Sequence, residues 1–305
     1  MKQVAILFGN GNSVGAEELA CALQTKQFRT FLLDVERPGV DLVEALAGPA
    51  PDVALLALDN GPQEAGCLQG LLELLRIPYT GTGVLGSALT SDVVTARQLL
   101  RLHGVRVPSH YAGKLQPVAA LLDAHGAFGY PVQLRCGPSG VGRIKLESAK
   151  DWRRVHPLLV NAGASDFVVE RCHEGSAYEV AFLEGRVLGM RGGEGLDHLS
   201  DLRHAGVLAA ARSAIGALGC RGPSLVRLVV CPEANEWVTD VEAAPALWRG
   251  SSFAEIARGA GYDYASLCET IVEGARLQWS SASRAPHELT RVSPPLVAEE
   301  ISRVA

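Results

Sequence analysis

The chain opens on a five-residue apolar run, Val4 to Phe8, which breaks into Gly9-Asn10-Gly11 and resumes as an amphipathic run from Ala16 to Thr25. Strand, glycine-rich turn and helix in that order constrain the fold more than any other feature, because strands alternating with helices build a parallel sheet. Phe31 to Val35, Val53 to Leu58 and Leu68 to Leu75 carry the alternation onward. The expectation is an α/β layer that ends where Thr80-Gly81-Thr82-Gly83 breaks the pattern, with a boundary near residues 85 to 90. A five-residue apolar run is a buried strand, too short for a signal peptide or a membrane span.

A second unit starts with Leu89, Val93, Ala96, Leu99 and Leu100 at helical spacing, which predicts one helix over Ser87 to Gly104. Tyr130 to Leu134 and Val141 to Leu146 read as two strands joined by the loop Cys136-Gly137-Pro138-Ser139-Gly140. Phe167 to Arg171, Tyr178 to Leu183 and Val187 to Arg191 add strands, and Gly192-Gly193-Glu194-Gly195 opens a loop. A helix over Leu208 to Leu218 leads into strands at Leu225 to Val230 and Trp237 to Val241. From Ser280 onward the chain is rich in Ser, Pro and charge and reads as a loosely ordered extension. With 305 residues, two or three domains are expected.

The formal net charge of -5 supplies no basic field for nucleic acid, so a phosphate site would have to be local. The seven cysteines are odd in number and form no C-x-x-C pair. They read as free thiols in a reducing compartment, which puts the protein in the cytoplasm with neither nucleic acid nor membrane as partner.

Three stretches carry a resemblance to a known family. They are GCLQGLLELLRIPYTGTGVLGSAL from Gly66 to Leu89, the strand–loop–strand from Tyr130 to Leu146, and Gly219 to Gly261 with its GC-RG start. Over residues 3 to 275 the chain resembles the D-alanine–D-alanine ligase family. The resemblance implies an α/β, three-domain ATP-grasp fold with a Rossmann-like N-terminal domain at 1–88, central and C-terminal ATP-grasp subdomains at 89–175 and 176–280, and a tail at 281–305. It also implies ATP and Mg2+ as cofactors if the chain is active and neither if it is not, an amino acid as the small-molecule substrate, and a homodimer. In that family ATP phosphorylates a carboxylate, and an amine then attacks the acylphosphate.

Carried over position by position, Arg135 stands for a phosphate-binding lysine, and Gly137 to Gly142, with Ser139 and Gly140, stands for a glycine-rich flap. Val168 to Glu174, with Glu170, Arg171 and His173, resembles the adenine hinge, while the ribose glutamate falls on Ala177. His173 and Cys172 lack metal-ligand spacing, and the histidine reads as a surface residue. The three metal-holding positions fall on Arg227, Asp240 and Glu242. Asp240 and Glu242 are two apart on a strand and share a face. Two arrangements are open there: a single magnesium site, or an internal ion-pair cluster in which Arg227 replaces the metal.

On the substrate side the family's charged groups fall on Val14, Asp59, Val93 and Leu225, and a glycine on Ala246. The candidates for a catalytic group are Arg227 and Ser251, the latter a possible contact for a carboxylate. The loop that covers the substrates is replaced by Arg191 to Ser200, which has no tyrosine or lysine. These positions point to a degenerate ligase homologue with a binding or regulatory role. The alternative is an active ATP-dependent carboxylate–amine ligase acting on D-alanine or another amino acid. A dinucleotide-binding reading of Gly9-Asn10-Gly11 lacks a third glycine and an acidic ribose partner.

Overall fold

Val4, Ala5, Ile6 and Leu7 are all fully buried, as they are only in the middle of a sheet covered on both faces. In the computed structural model β1 (Gln3–Phe8) is that middle strand, paired in parallel with β2 (Arg29–Asp34) and β3 (Val53–Ala57). α1 (Ser13–Thr25) and the short α2 (Leu42–Ala47) are the crossovers, and α3 (Cys67–Leu75) follows β3. Alternate residues of the strands feed two cores. Val4, Ile6 and Leu55 pack with α1 and with Phe253, Leu267 and Ile271 from far down the chain. Ala5, Leu7 and Leu56 pack with Leu46, Leu68 and Leu72. Tyr79 bridges both Ala54 and Arg276, so the distal chain returns to this sheet.

The described residues are 1–9, 11–48, 50–58, 65–114, 129–136, 142–161, 166–192, 199–232 and 236–278. Asp59, the flap residues 137–141 with Ser139 and Gly140, most of the Arg191 to Ser200 segment and the tail 281–305 lie outside them.

The run expected to form one helix forms two, α4 (Val84–Ser91) and α5 (Val93–Leu102). Asp92 divides them. Its backbone is extended and its carboxylate accepts from the Thr95 N–H at 3.0 Å, which makes it the N-cap of α5. β4 (His110–Lys114), β5 (Val132–Cys136), β6 (Gly142–Leu146) and β7 (Asp166–Arg171) make an antiparallel sheet in the order β4-β7-β5-β6. α6 (Ala149–Asn161) covers one face, with Trp152 and Leu159 against Val132, Leu134, Phe167 and Val169. Neither β4 nor α6 was expected from the sequence. β4 is a largely exposed edge strand with little apolar pattern, and Pro157 interrupts the helical signal of α6.

β8 (Ser176–Leu183), β9 (Arg186–Gly192), β10 (Ser224–Val230) and β11 (Glu236–Glu242) form the third sheet, antiparallel, in the order β11-β10-β8-β9. α7 (Asp201–Leu218) begins at Asp201, not at Leu208, because the Ser200 hydroxyl caps it. Its Val207, Ala211 and Ala214 pack on Tyr178, Val180, Val226 and Leu228. α8 (Ser252–Gly259) and α9 (Tyr264–Glu273) then close the core beneath the first sheet. A parallel α/β layer followed by two antiparallel sheets with helices is the architecture the resemblance implies. Among the described residues no helix is long and apolar enough to cross a membrane.

Candidate functional site

Each antiparallel sheet turns one face to its own helix and the other to the cleft between the sheets. On β5 and β7, Leu134 and Val169 go to the α6 core, which leaves Arg135 and Glu170 on the opposite face. On β10, Val226 and Leu228 go to the α7 core, and Leu225 and Arg227 face the other way. β11 carries a bulge: Arg227 pairs with Asp240 while Leu228 pairs with Val238, so Thr239 is the extra residue. The bulge keeps Val238 and Val241 both in the core and leaves Asp240 and Glu242 facing Arg227. It also presents the Thr239 carbonyl across the cleft, where it accepts from Arg97 Nη2 and Arg135 Nη2, each at 3.0 Å.

Four arginines and four carboxylates meet here. Glu170 is clamped between Arg97 and Arg135, whose Nε donates to it at 3.0 Å, and all three side chains are 3–4% exposed. Asp240 pairs with Arg143 from β6, and Arg135 and Arg227 lie 3.7 and 3.8 Å from it. Arg227 also pairs with Glu242, and its Nε donates to Glu179 on β8 at 2.9 Å. Charges as far from water as Arg97, Arg135 and Glu170 persist only when paired, and each of the eight, the more exposed Arg143 and Arg227 included, has an opposite partner.

The titration of the cluster follows from its geometry. Burial pushes the Asp240 carboxyl up, but Arg135, Arg143 and Arg227 outweigh it and hold the group below the usual carboxylate range. Burial dominates at Glu242, whose carboxyl is raised although Arg227 opposes the shift, with Asp240 adding to it. Burial lowers Arg97. At Arg227 burial acts downward as well, but Glu242 and Asp240 outweigh it and the guanidinium is raised.

The structure thus brings together Arg135, Glu170, Arg227, Asp240 and Glu242 from among the residues singled out in the sequence. It adds Arg97, Arg143 and Glu179, which sequence reasoning passed over. A signal existed for two of them. Arg97 lies on the buried face of α5 beside Ala96 and Leu100, and Glu179 shares a strand face with the buried Ala181 and Leu183. A lone charge on an apolar stripe needs a partner. Arg143 follows a glycine-rich loop and carries no comparable sign.

The other singled-out residues lie apart from the cluster or do local work. Arg171 is exposed, and its backbone N–H donates to Ser109 O at 2.9 Å. The His173 ring stacks on Trp237 with centroids 3.9 Å apart and 14° between planes. Ser251 is buried and caps α8, accepting from the Ala254 N–H at 3.2 Å. Ala177 supplies no hydroxyl acceptor, and Val14 is 68% exposed on the first turn of α1. One turn further along α1, Glu18 accepts from the Arg249 N–H at 3.0 Å beside Ser251, an acidic contact that sequence reading missed.

This donor set does not fit a divalent cation. Asp240 and Glu242 share a face, as magnesium would require, but guanidinium groups already hold both. Among the described residues no three His, Cys, Asp or Glu side chains converge as metal ligands. Nor does any cluster arginine stand uncommitted for a phosphate, since each is paired to a carboxylate.

No protein-family model matches the chain. The D-alanine–D-alanine ligase of Anaeromyxobacter sp. (strain Fw109-5) is 31% identical to it over 306 residues, 91% of this chain and 98% of that protein. The D-alanine–D-alanine ligase of Geotalea uraniireducens (strain Rf4) is 30% identical over 281 residues, 85% and 89% of the two chains. Among solved structures, D-alanine–D-alanine ligase from Bacillus anthracis complexed with ATP superposes with a TM-score of 0.74 at 21% identity, covering 90% of this chain and 96% of that one. D-alanyl-alanine synthetase A from Vibrio cholerae superposes with a TM-score of 0.76 at 16% identity, covering 89% and 97%.

Proposed function

The chain belongs to the D-alanine–D-alanine ligase family, and on that premise we propose that it is a homologue that keeps the ATP-grasp fold but makes D-alanyl-D-alanine poorly or not at all, serving a binding or regulatory role. Leu225 carries this reading. It occupies the position where the family has the arginine that holds the substrate carboxylate, and it is 1% exposed, packed with Ala181, Leu247 and Phe253. A buried leucine neither pairs with a carboxylate nor tolerates one beside it without a partner. Val14, where the family has a glutamate for the substrate ammonium, supports the same reading. Each missing charge-stabilising contact commonly costs about 3–4 kcal/mol in the transition state. In this reading the protein works in the cytoplasm as a homodimer. The test is phosphate release with D-alanine, ATP and magnesium: release no faster than without D-alanine is expected, and turnover at a rate typical of ligases overturns the reading.

A second reading is an active ATP-dependent carboxylate–amine ligase for D-alanine or another amino acid. It is favoured by Asp240 and Glu242 sharing one face of β11 with Arg135 and Glu170 across the cleft. Its signature is a magnesium-dependent rise in melting temperature with ATP, and no shift at millimolar nucleotide counts against it.

A further inference from the structure

Glu179, Asp240 and Glu242 come from two strands, β8 and β11, that flank β10 on either side, and all three point to the guanidinium of Arg227. Carboxylates are the ligands a hard divalent cation takes, but these three are spread around the Nε and Nη1 of a guanidinium and do not close on a shared metal position. A side chain of the sheet itself holds them. We propose that Arg227 is a built-in cation that takes the place of a divalent metal, so that this cleft is assembled and charge-balanced without one.

A guanidinium offers five donors in a fixed plane and reaches several carboxylates at once. Arg227 uses Nε on Glu179 and Nη1 on both Glu242 and Asp240. A metal entering beside it would meet three guanidinium groups around Asp240, those of Arg135, Arg143 and Arg227, all within the range of direct ion pairing. Like charges brought together around a largely buried carboxylate repel. Displacing Arg227 would also leave its own charge without partners in a half-buried position. Each of the three carboxylates around Arg227 is therefore already held by a cation that the chain cannot lose.

This inference stands beside the proposed loss of D-alanine chemistry and does not require it. A chain that joined D-alanine without a metal would satisfy it and overturn that reading. The experiment is a titration of the full chain with Mn2+, following free Mn2+ by electron paramagnetic resonance. Wild type and Arg227→Lys are expected to bind no saturable Mn2+ up to millimolar concentration. Arg227→Asp is expected to gain one Mn2+ per chain, and Glu242→Gln added to it is expected to abolish the gain. Arg227→Asn, which removes the charge without adding one, gives a milder variant should Arg227→Asp not fold, with weaker binding expected at the same place. Saturable one-site binding by wild type overturns the proposal. So does the failure of folded Arg227→Asp or Arg227→Asn, checked by circular dichroism, to bind more Mn2+ than wild type.

Discussion

Glu170 shows how much hangs on one side chain in a closed ion cluster. It is the carboxylate partner of both Arg97 and Arg135, and all three are nearly inaccessible. Glu170→Gln keeps the shape and removes the charge, leaving two buried guanidinium groups with too few partners. It is expected to cost about 3–5 kcal/mol of stability, read from the urea midpoint, and a near-neutral result would mean that water reaches the cluster. Asp240 and Glu242 give the cluster opposite responses to acid. Asp240 has its folded-state value lowered by its three arginines against the pull of burial. Its contribution is therefore full above the ordinary carboxylate value of about pH 4 and is lost as pH falls through the lowered folded value. Glu242 is raised by burial, so its share is present at low pH and fades as pH rises through the raised value. Asp240→Asn is accordingly expected to flatten the loss of melting temperature as pH falls below about 4. An unchanged acid profile would show that Asp240 is not the group that titrates.

At the scale of single elements, one polar side chain decides whether residues 84 to 102 form one helix or two. The apolar spacing runs through Asp92 and gives no reason to stop there. The break comes from its carboxylate satisfying the Thr95 N–H at the start of α5. Asp92→Ala is expected to cost about 1 kcal/mol, with Asp92→Asn retaining most of that, both measured by chemical denaturation. If the alanine variant were as stable as wild type, the division would owe nothing to the cap. The bulge at Thr239 is the corresponding device in a strand. It presents one carbonyl to Arg97 and Arg135 and re-phases β11 so that Asp240 and Glu242 face Arg227.

Across the whole molecule, the first and last parts of the chain share one core. Phe253 is 1% exposed and lies in a cluster that joins Val4, Ile6 and Leu55 of the first sheet to Ala181 and Leu225 of the third. Phe253→Ala is expected to cost about 3–5 kcal/mol. Because both sheets lean on the same side chain, they should lose stability together. Tryptophan fluorescence and far-ultraviolet circular dichroism should then give coincident transitions, whereas two separated steps would show that the units unfold independently. The second sheet, with its own core around Trp152, meets the third through the arginine–carboxylate cluster, the Arg135 bond to the Thr239 carbonyl and the His173–Trp237 stack.

The amino-acid sequence by itself determined the alternating start of the parallel sheet, the family, and the shared face of Asp240 and Glu242. Each of these is encoded by residues near one another in the chain, through periodicity or a contiguous motif. It left open whether that face holds a metal, and it passed over Arg97, Arg143 and Glu179. Only the tertiary structure shows which groups surround that face, because strand period specifies which way a side chain points but not what approaches from the other wall of a cleft. The groups that meet at Asp240 come from β5, β6 and β10, and packing of one sheet against another is what converts a pair of candidate metal ligands into the acidic half of an ion cluster.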